Sequence, residues 1–470
     1  MKKQNYLDFV RGILSSDEDF LLFKEFYQQR LPKSFKVISS RISRESLSSF
    51  LKTQWWKIYS PDFLLNSKYN DVEYVDCIDC IDSKTLWTHC FHTAWLFYIQ
   101  EVSAWLSAQV LNLESWDLVL DLCAAPWWKT VQLADRLLCL WNWHVFANEP
   151  SFARRKALVF NLNRCWLYNT SILWYDGTSV GELAPEMFDK VLVDAPCSWE
   201  GMQYKYDKNV VYWDSNAAEK LSKLQKQLLV SWLKALKSWW ELVYSTCTLN
   251  PYENEWVISY VLEMFRWEIE LLNVDIDGKS IWLKDSLWNN DCLKVARFWP
   301  HVQKTWWFFI AKFKKLKSIS TDKKFDKRVL KKSEYDDSDM LQKNVRNYLD
   351  KEWWVNRDNK FHFFSSKEYV FVKDNYKINN NWLFVEKSWI PIIKLWFKWD
   401  YIPQQWLVNV FWSIMNKNII NLTYEQIQKI SEWSDILLSY WSDWCFFVVK
   451  LNSVWLFLVK QVWNILKMKI

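Results

Sequence analysis

Two cysteines occupy matching places in this 470-residue chain. Asp194-Ala195-Pro196-Cys197-Ser198 and Tyr244-Ser245-Thr246-Cys247-Thr248 each set a thiol just past the end of an apolar, strand-like run. If both runs are strands of one sheet, both thiols open onto one crevice. A thiol there becomes a nucleophile when helix N-termini or a cation such as Lys129 favour its thiolate. A lone Cys is more often a small buried hydrophobe. Two Cys and one Asp converging on a single sheet edge argue for chemistry instead.

A second cluster lies earlier. Asp121-Leu122-Cys123-Ala124-Ala125-Pro126-Trp127-Trp128-Lys129-Thr130 runs from the end of an apolar stretch into a helix start. Small residues at such a junction let backbone N–H groups face an anionic ligand group at a helix N-terminus. Glu149 and Asp176 follow at the ends of the next two apolar runs. A carboxylate at the second strand end is placed to take both ribose hydroxyls of a nucleoside cofactor. Each acid alone also reads as a solvated loop carboxylate; together, at this spacing, they are stronger. The cofactor-binding set is therefore Cys123, Ala124, Ala125, Pro126, Trp127, Trp128, Lys129, Glu149, Asp176 and Asp194. Lys129 is expected to support charge in the crevice, and Arg154 to hold its cofactor side.

These groups need a scaffold. Strand-like runs end near Asp121, Glu149, Asp176, Asp194 and Cys247, with helical stretches between, as successive βα units require. The expected fold is α/β: a mostly parallel, doubly wound, Rossmann-like sheet with ligands at its carboxyl edge. Residues 1–90 read as a small N-terminal α+β domain of RNA-binding type. There, Ser34–Ile38 is extended and Ser43 caps a helix carrying Leu47, Phe50 and Leu51. Residues 91–315 form the catalytic domain, and 316–385 a basic linker with an unassigned stretch from 333. Residues 386–470 form a small β-rich domain. Lys312–Lys332 is rich in Lys and Arg and could contact phosphates or simply be solvated.

Composition bounds the rest. Half the residues are hydrophobic and 24% are charged, which excludes a mostly disordered chain. No apolar run is long enough for a membrane span, the first residues carry no apolar signal core, and ten Cys are scattered. A cytoplasmic protein with reduced thiols is expected, with no membrane partner and no obligate protein partner. A net charge of +6 leans mildly toward a polyanion. Cys77, Cys80, His89, Cys90 and His92 include a C-x2-C, but the spacing after Cys80 is irregular, and no metal site is expected.

One count is abnormal: 37 Trp against 5 Gly. Ordinary usage, about 7% Gly, would give roughly 33 Gly in a chain of this length. Many Trp letters also sit where turns are needed: Trp127-Trp128 at the strand-to-helix junction, Trp141 and Trp143 before a strand, Trp199 after one, Trp239-Trp240, and Trp441 and Trp444 in a hairpin-like loop. Glycine suits such places and indole does not. Most of these Trp are therefore expected to stand for glycine, as a reassigned codon would produce.

Taken together the motifs resemble the Nol/Nop/Sun family of RNA cytosine-5 methyltransferases, which use S-adenosyl-L-methionine. Gln100-Glu101-Val102-Ser103, Asp121–Thr130, Ala147-Asn148-Glu149, Asp194–Gly201, Tyr244–Thr248 and Arg297-Phe298-Trp299-Pro300-His301 match its motifs in order, over roughly residues 91–313. The flanks are similar, more weakly, to an RsmF-like branch that methylates small-subunit ribosomal RNA and carries a PUA-like tail. The resemblance implies Cys247 as nucleophile, Cys197 in proton loss and enzyme release, and Asp194 near N3 of the cytosine. It implies RNA as partner, 16S rRNA first and tRNA second. The chain departs from the family at Trp95, Trp116, Trp127, Trp128, Trp199, Trp239, Trp240, Trp306 and Trp307, where glycine is usual. With genuine indoles in the cofactor loop, the alternative is a non-catalytic RNA-binding or ribosome-assembly protein.

Overall fold

The computed structural model describes residues 3–468, leaving out 15, 27–28, 30, 55, 65–72, 77–83, 126–127, 141–143, 166, 199–214, 277–278, 280–290, 292, 321–337, 354–360, 367–368, 375–389, 397–399, 405–406, 408–417, 433, 435, 438–445, 452–453 and 463–464. The fold is α/β, with a central mixed sheet and a β-rich C-terminal region.

Four short strands make the N-terminal sheet: β1 Lys33–Val37, β2 Lys57–Tyr59, β3 Glu73–Asp76 and β4 Phe97–Ile99. Their order is β2-β3-β1-β4, all antiparallel. Ser43 accepts the Ser46 N–H at 3.1 Å and starts the helix Arg44–Thr53, which buries Leu47 and Leu51. A boundary at residue 90 would cut this unit, because β4 lies beyond it and pairs with β1.

The central sheet holds β5 Val119–Asp121, β6 Val145–Asn148, β7 Thr170–Leu173, β8 Phe188–Asp194, β9 Leu236–Thr246, β10 Ile269–Leu272, β11 Ala296–Phe298 and β12 Phe308–Lys315. The order is β10-β12-β9-β8-β5-β6-β7, with β11 also on β12. From β7 to β9 the strands are parallel; β12 turns antiparallel and carries β10 and β11. Strand order reverses at β5, the place where doubly wound sheets open a crevice. Alternate residues face opposite layers. Val119, Val145, Leu192, Val243 and Ile310 pack with Leu106, Leu133 and Leu158 on one side. Leu120, Phe146, Val193, Tyr244 and Phe309 pack with Leu229, Trp232 and Val257 on the other. Burial on both faces suits the apolar run Val191–Val193 in β8, whose Asp189 and Lys190 are buried as well.

Ser238-Trp239-Trp240-Glu241, expected as a turn, lies within β9. The β8–β9 register jumps from Phe188 opposite Leu236 to Lys190 opposite Glu241, which makes room for a bulge. Trp239 sits in it at φ 74°. Trp95 and Trp116 are likewise left-handed, at 56° and 81°. That region favours glycine, and glycine at residue 1 of a bulge is a recurrent solution. Trp116 and Trp239 are 66% and 67% exposed, so neither indole has a core to fill. By contrast Gly181, written as glycine, meets the helix Ser215–Ala235 so closely that a Cβ would lie 1.9 Å from the Ser231 carbonyl oxygen. The loops around Trp141, Trp143, Trp199, Trp441 and Trp444 lie outside the described residues.

Within 316–385, expected as a linker and left unassigned from 333, the structure has a helix, Asp339–Trp353, and a hairpin, β13 Phe361–Ser366 with β14 Tyr369–Asp374. With β15 Ile390–Trp396 and β16 Asp400–Pro403 the hairpin forms a four-stranded antiparallel sheet. Five more strands follow: β17 Ile419–Asn421, β18 Ile436–Leu437, β19 Phe446–Leu451, β20 Val454–Val462 and β21 Ile465–Met468, ordered β17-β19-β20-β21-β18. This last sheet and the helix Tyr424–Ser431 share one core with the N-terminal unit: Ile427 and Ile430 of the helix and Val449 and Phe457 of the sheet pack with Phe35, Leu51, Phe91 and Phe97. Among the described residues no helix is long and apolar enough to cross a membrane.

Candidate active site

The β5 end and the loop after it form the floor of the crevice. Asp121 is buried, and the Thr130 hydroxyl donates to its Oδ2 at 2.6 Å, tying the first turn of the helix Trp128–Cys139 back to the strand. Burial, with Asp194 nearby, raises the Asp121 carboxyl to about 7. The Ala124 N–H donates to the Asn148 carbonyl at 3.1 Å, joining the loop to the end of β6. Ala124 and Ala125 are buried and small, so main chain lines the crevice here. Trp128 is partly buried, with its ring stacked on Tyr98 at 5.5 Å. Pro126 and Trp127 lie outside the described residues.

Glu149 follows β6 and is 2% exposed. The Ser151 N–H donates to its Oε1 at 2.8 Å. Arg154 Nη2 lies 3.4 Å from its Oε2 and donates to the Ala125 carbonyl at 2.6 Å. Arg154 thus ties Glu149 to the loop after β5. Asp176 is different. Its Oδ1 accepts the Thr178 N–H at 3.0 Å and the Thr178 hydroxyl at 2.9 Å, capping its own short helix. Asn148, which its motif Ala147-Asn148-Glu149 leaves without a role, joins three strand ends. Its Nδ2 donates to the carbonyls of Leu122 at 3.3 Å and Tyr175 at 2.9 Å, and its Oδ1 accepts the Tyr175 N–H at 2.9 Å.

The two thiols meet. Cys197 Sγ and Cys247 Sγ are 2.9 Å apart, beyond the ~2.05 Å of a disulfide and within reach of a thiol–thiol hydrogen bond. Cys197 is buried and Cys247 half-buried. Asp194, at the end of β8, accepts a hydrogen bond from Lys129 Nζ, and Ser245 Oγ lies 3.2 Å from both the Asp194 Oδ1 and the Lys129 Nζ. Lys129 is 6% exposed and its ammonium also sits 4.6 Å over the Phe308 ring. A buried cation, one carboxylate and two thiols therefore share one edge. The sequence pointed to each; Ser245, Thr248, Gln225, Glu253 and Asn254, which brace them, were missed. Ser245 and Thr248 flank Cys247 in its motif, Gln225 carries no signal, and Glu253 and Asn254 end a stretch from Thr248 that looks like a solvated loop but is buried at Thr248, Asn250, Glu253 and Asn254.

The cysteine–histidine cluster resolves partly. Cys77 and Cys80 lie outside the described residues. His89 uses its ring locally: Nδ1 accepts the Phe91 N–H at 3.1 Å and Nε2 lies 3.2 Å from the Tyr424 hydroxyl.

Residues 108–314 match the family described as 16S rRNA methyltransferase RsmB/F. A ribosomal RNA small subunit methyltransferase F of Vibrio vulnificus is 30% identical over 357 residues, covering 74% of this chain and 72% of its own. The chain belongs to the RsmB/F family. A ribosomal RNA small subunit methyltransferase F of Photobacterium profundum is 37% identical over 317 residues, 64% of each chain. Among solved structures, a methyltransferase homolog protein from Pyrococcus horikoshii superposes with a TM-score of 0.55 at 27% identity, covering 64% of this chain and 91% of that one. RsmB/F proteins are S-adenosylmethionine-dependent RNA methyltransferases, and this chain is one of them.

The crevice suits that cofactor. Burial first, and then the nearby carboxylates of Asp121, Asp194 and Glu149, push the Cys123 thiol well above its ordinary range, which keeps that thiol neutral beside them. Buried Glu149 is joined through Arg154 to the small-residue loop at Ala125, so a carboxylate and main-chain groups face one another across the crevice.

Proposed function

We propose that the protein methylates carbon 5 of a cytosine in 16S rRNA through a covalent bond between Cys247 and the base. The observation that carries this is the pair of thiols 2.9 Å apart, beside Asp194 and Lys129, at one carboxyl edge. Glu149 and the main chain of Cys123, Ala124 and Ala125 would hold S-adenosylmethionine, with Pro126, Trp127, Trp128 and Asp176 as further expected contacts. When bound, that cofactor supplies an electrophilic methyl group.

Carbon 5 of cytosine is a weak nucleophile. The Cys247 thiolate adds to carbon 6, the C5–C6 double bond opens, and carbon 5 gains enamine character. Asp194 contacts the ring near N3 and stabilises the adduct, its own position held by Lys129 and Ser245. After carbon 5 takes the methyl, its remaining proton leaves to a base and the C6–S bond breaks. The double bond re-forms and the thiolate is free again. Cys197, in contact with Cys247, assists this release. Carbon 6 is reachable only when the base is unstacked, so the target lies in a loop or a remodelled region. The N-terminal unit and the C-terminal β-rich region, read as a PUA-like module, would hold the RNA.

The test uses unmodified small ribosomal subunits, the rRNA extracted from them, and bulk tRNA. Cys247→Ala is expected to abolish methylation read by bisulfite sequencing. Cys197→Ala is expected to leave a protein–RNA adduct that survives denaturing gels. Methylation by Cys247→Ala would sink the nucleophile assignment; modification of tRNA alone would move the substrate.

A further inference from the structure

We infer that Glu253 and Asn254 are a pair of positioning residues that set the distance between the two thiols, each holding one thiol-bearing segment. This rests on the covalent cytosine reading above. The Glu253 Oε2 accepts the Ser198 N–H at 3.0 Å and the Gln225 amide at 2.8 Å. The same Gln225 nitrogen donates to the Pro196 carbonyl at 2.8 Å. Main-chain groups on both sides of Cys197 are thus held by one carboxylate–amide unit. Asn254 does the same for the other thiol. Its Oδ1 accepts from the Thr246 hydroxyl and its Nδ2 donates to the Thr248 carbonyl at 2.9 Å, one residue to either side of Cys247.

One further bond joins the two halves, and two more stiffen the Cys247 side. The Ser198 hydroxyl donates to Thr248 Oγ1 at 3.1 Å, Thr248 Oγ1 accepts the Asn250 N–H at 3.1 Å, and the Tyr244 hydroxyl donates to the Glu253 carbonyl at 2.6 Å. Glu253, Asn254 and Gln225 are fully buried behind the thiols, with relative exposures of 0%. They cannot touch RNA, so they act through the cysteines. Because the two are adjacent in the chain, a shift of one segment is transmitted to the other through a single peptide unit. Hydrogen bonds of this kind fix geometry to fractions of an ångström, and rate is sensitive to that.

The two residues should fail in opposite ways. Glu253→Gln keeps an acceptor oxygen but loses the negative charge that strengthens the bonds from Ser198 and Gln225, which loosens the Cys197 segment and slows release. Its adduct with unmodified 16S rRNA should accumulate ~10-fold or more over wild type, approaching Cys197→Ala. Gln225→Leu should do the same with the carboxylate intact, which covers a failure of Glu253→Gln to fold. Asn254→Asp, which loses the donor to Thr248, should slow adduct formation ~10-fold or more and leave no accumulated adduct. Affinity for S-adenosylmethionine by calorimetry should stay within a few-fold of wild type in all three. Equal slowing of formation and release in Glu253→Gln and Gln225→Leu would overturn the inference. An adduct in Cys197→Ala but in neither of those variants would overturn it too, leaving the thiol chemistry intact. Absence of an adduct in Cys197→Ala, with methylation retained in Cys247→Ala, would instead remove the underlying reading.

Discussion

At residue 239 the backbone turns left-handed inside a strand, and the side chain written there is an indole that is 67% exposed. An L-residue in that region costs about 1–2 kcal/mol, and an exposed ring recovers little of it by burial. Trp239→Gly is therefore expected to stabilise the folded protein by about 1–2 kcal/mol, read as a higher thermal midpoint. A lower midpoint would mean that the ring packs productively. Peptide masses of the protein from its own cells should report glycine at 95, 116 and 239, the three left-handed Trp positions among the described residues. Residue types made this partly legible beforehand: the Trp excess and its turn positions pointed to glycine before any φ angle did. Cys197, Cys247 and Asp194 were legible because reactive side chains at strand ends are few and chemically distinct. Glu253 and Asn254 were not, because a buried polar residue and a solvated one have the same letter.

Among the elements, the strand ends could be read closely. β5 and β8 end at Asp121 and Asp194, and β6 and β7 end one and three residues before Glu149 and Asp176. Parallel strands covered on both faces read as unbroken apolar runs, and their ends stand out. Residues 333–385 resisted because their hairpin mixes aromatic and polar residues without a clear period. One buried ion pair joins elements distant in sequence. Arg297, in β11, places Nη2 2.6 Å from the Glu255 Oε2 and Nη1 2.8 Å from the Leu249 carbonyl; Arg297 and Glu255 are both fully buried. Removing one partner strands the other charge. Arg297→Met should destabilise the fold by about 3–5 kcal/mol in denaturant unfolding. The double variant Arg297→Met, Glu255→Met should recover much of that loss. Equal destabilisation in both would show that packing, not the stranded carboxylate, sets the cost.

Across the whole molecule, the N-terminal and C-terminal units meet in one core. His89 lies beside it: Nδ1 accepts the Phe91 N–H, so the neutral ring carries its proton on Nε2 and donates to Tyr424 at 3.2 Å. Burial lowers the His89 pKa from 6.5 to about 4, and burial lowers His92 to about 4 as well. A depressed folded pKa means that the unfolded chain binds protons first as pH falls. The stability held by the neutral rings is present above about pH 6.5 and lost progressively toward pH 4. Buried Asp121, raised to about 7, works in the opposite sense over the same window, so the difference between variants is the readout: from pH 7 to pH 4 the thermal midpoint of His89→Phe should lose less, or gain more, than that of the unchanged chain. An unchanged slope in His89→Phe would show that His89 does not titrate on unfolding.

The amino-acid order alone determined the type of sheet, the crevice at its carboxyl edge, the two thiols and the family they resemble. Those features are local: apolar runs, turn chemistry and reactive residues at run ends. Three things needed the tertiary structure: the 2.9 Å approach of Cys197 to Cys247, the bracing of both by buried polar groups, and the joining of N-terminal and C-terminal units into one core. Each depends on contacts between residues far apart in the chain, and burial gives the same letters a different role at each site.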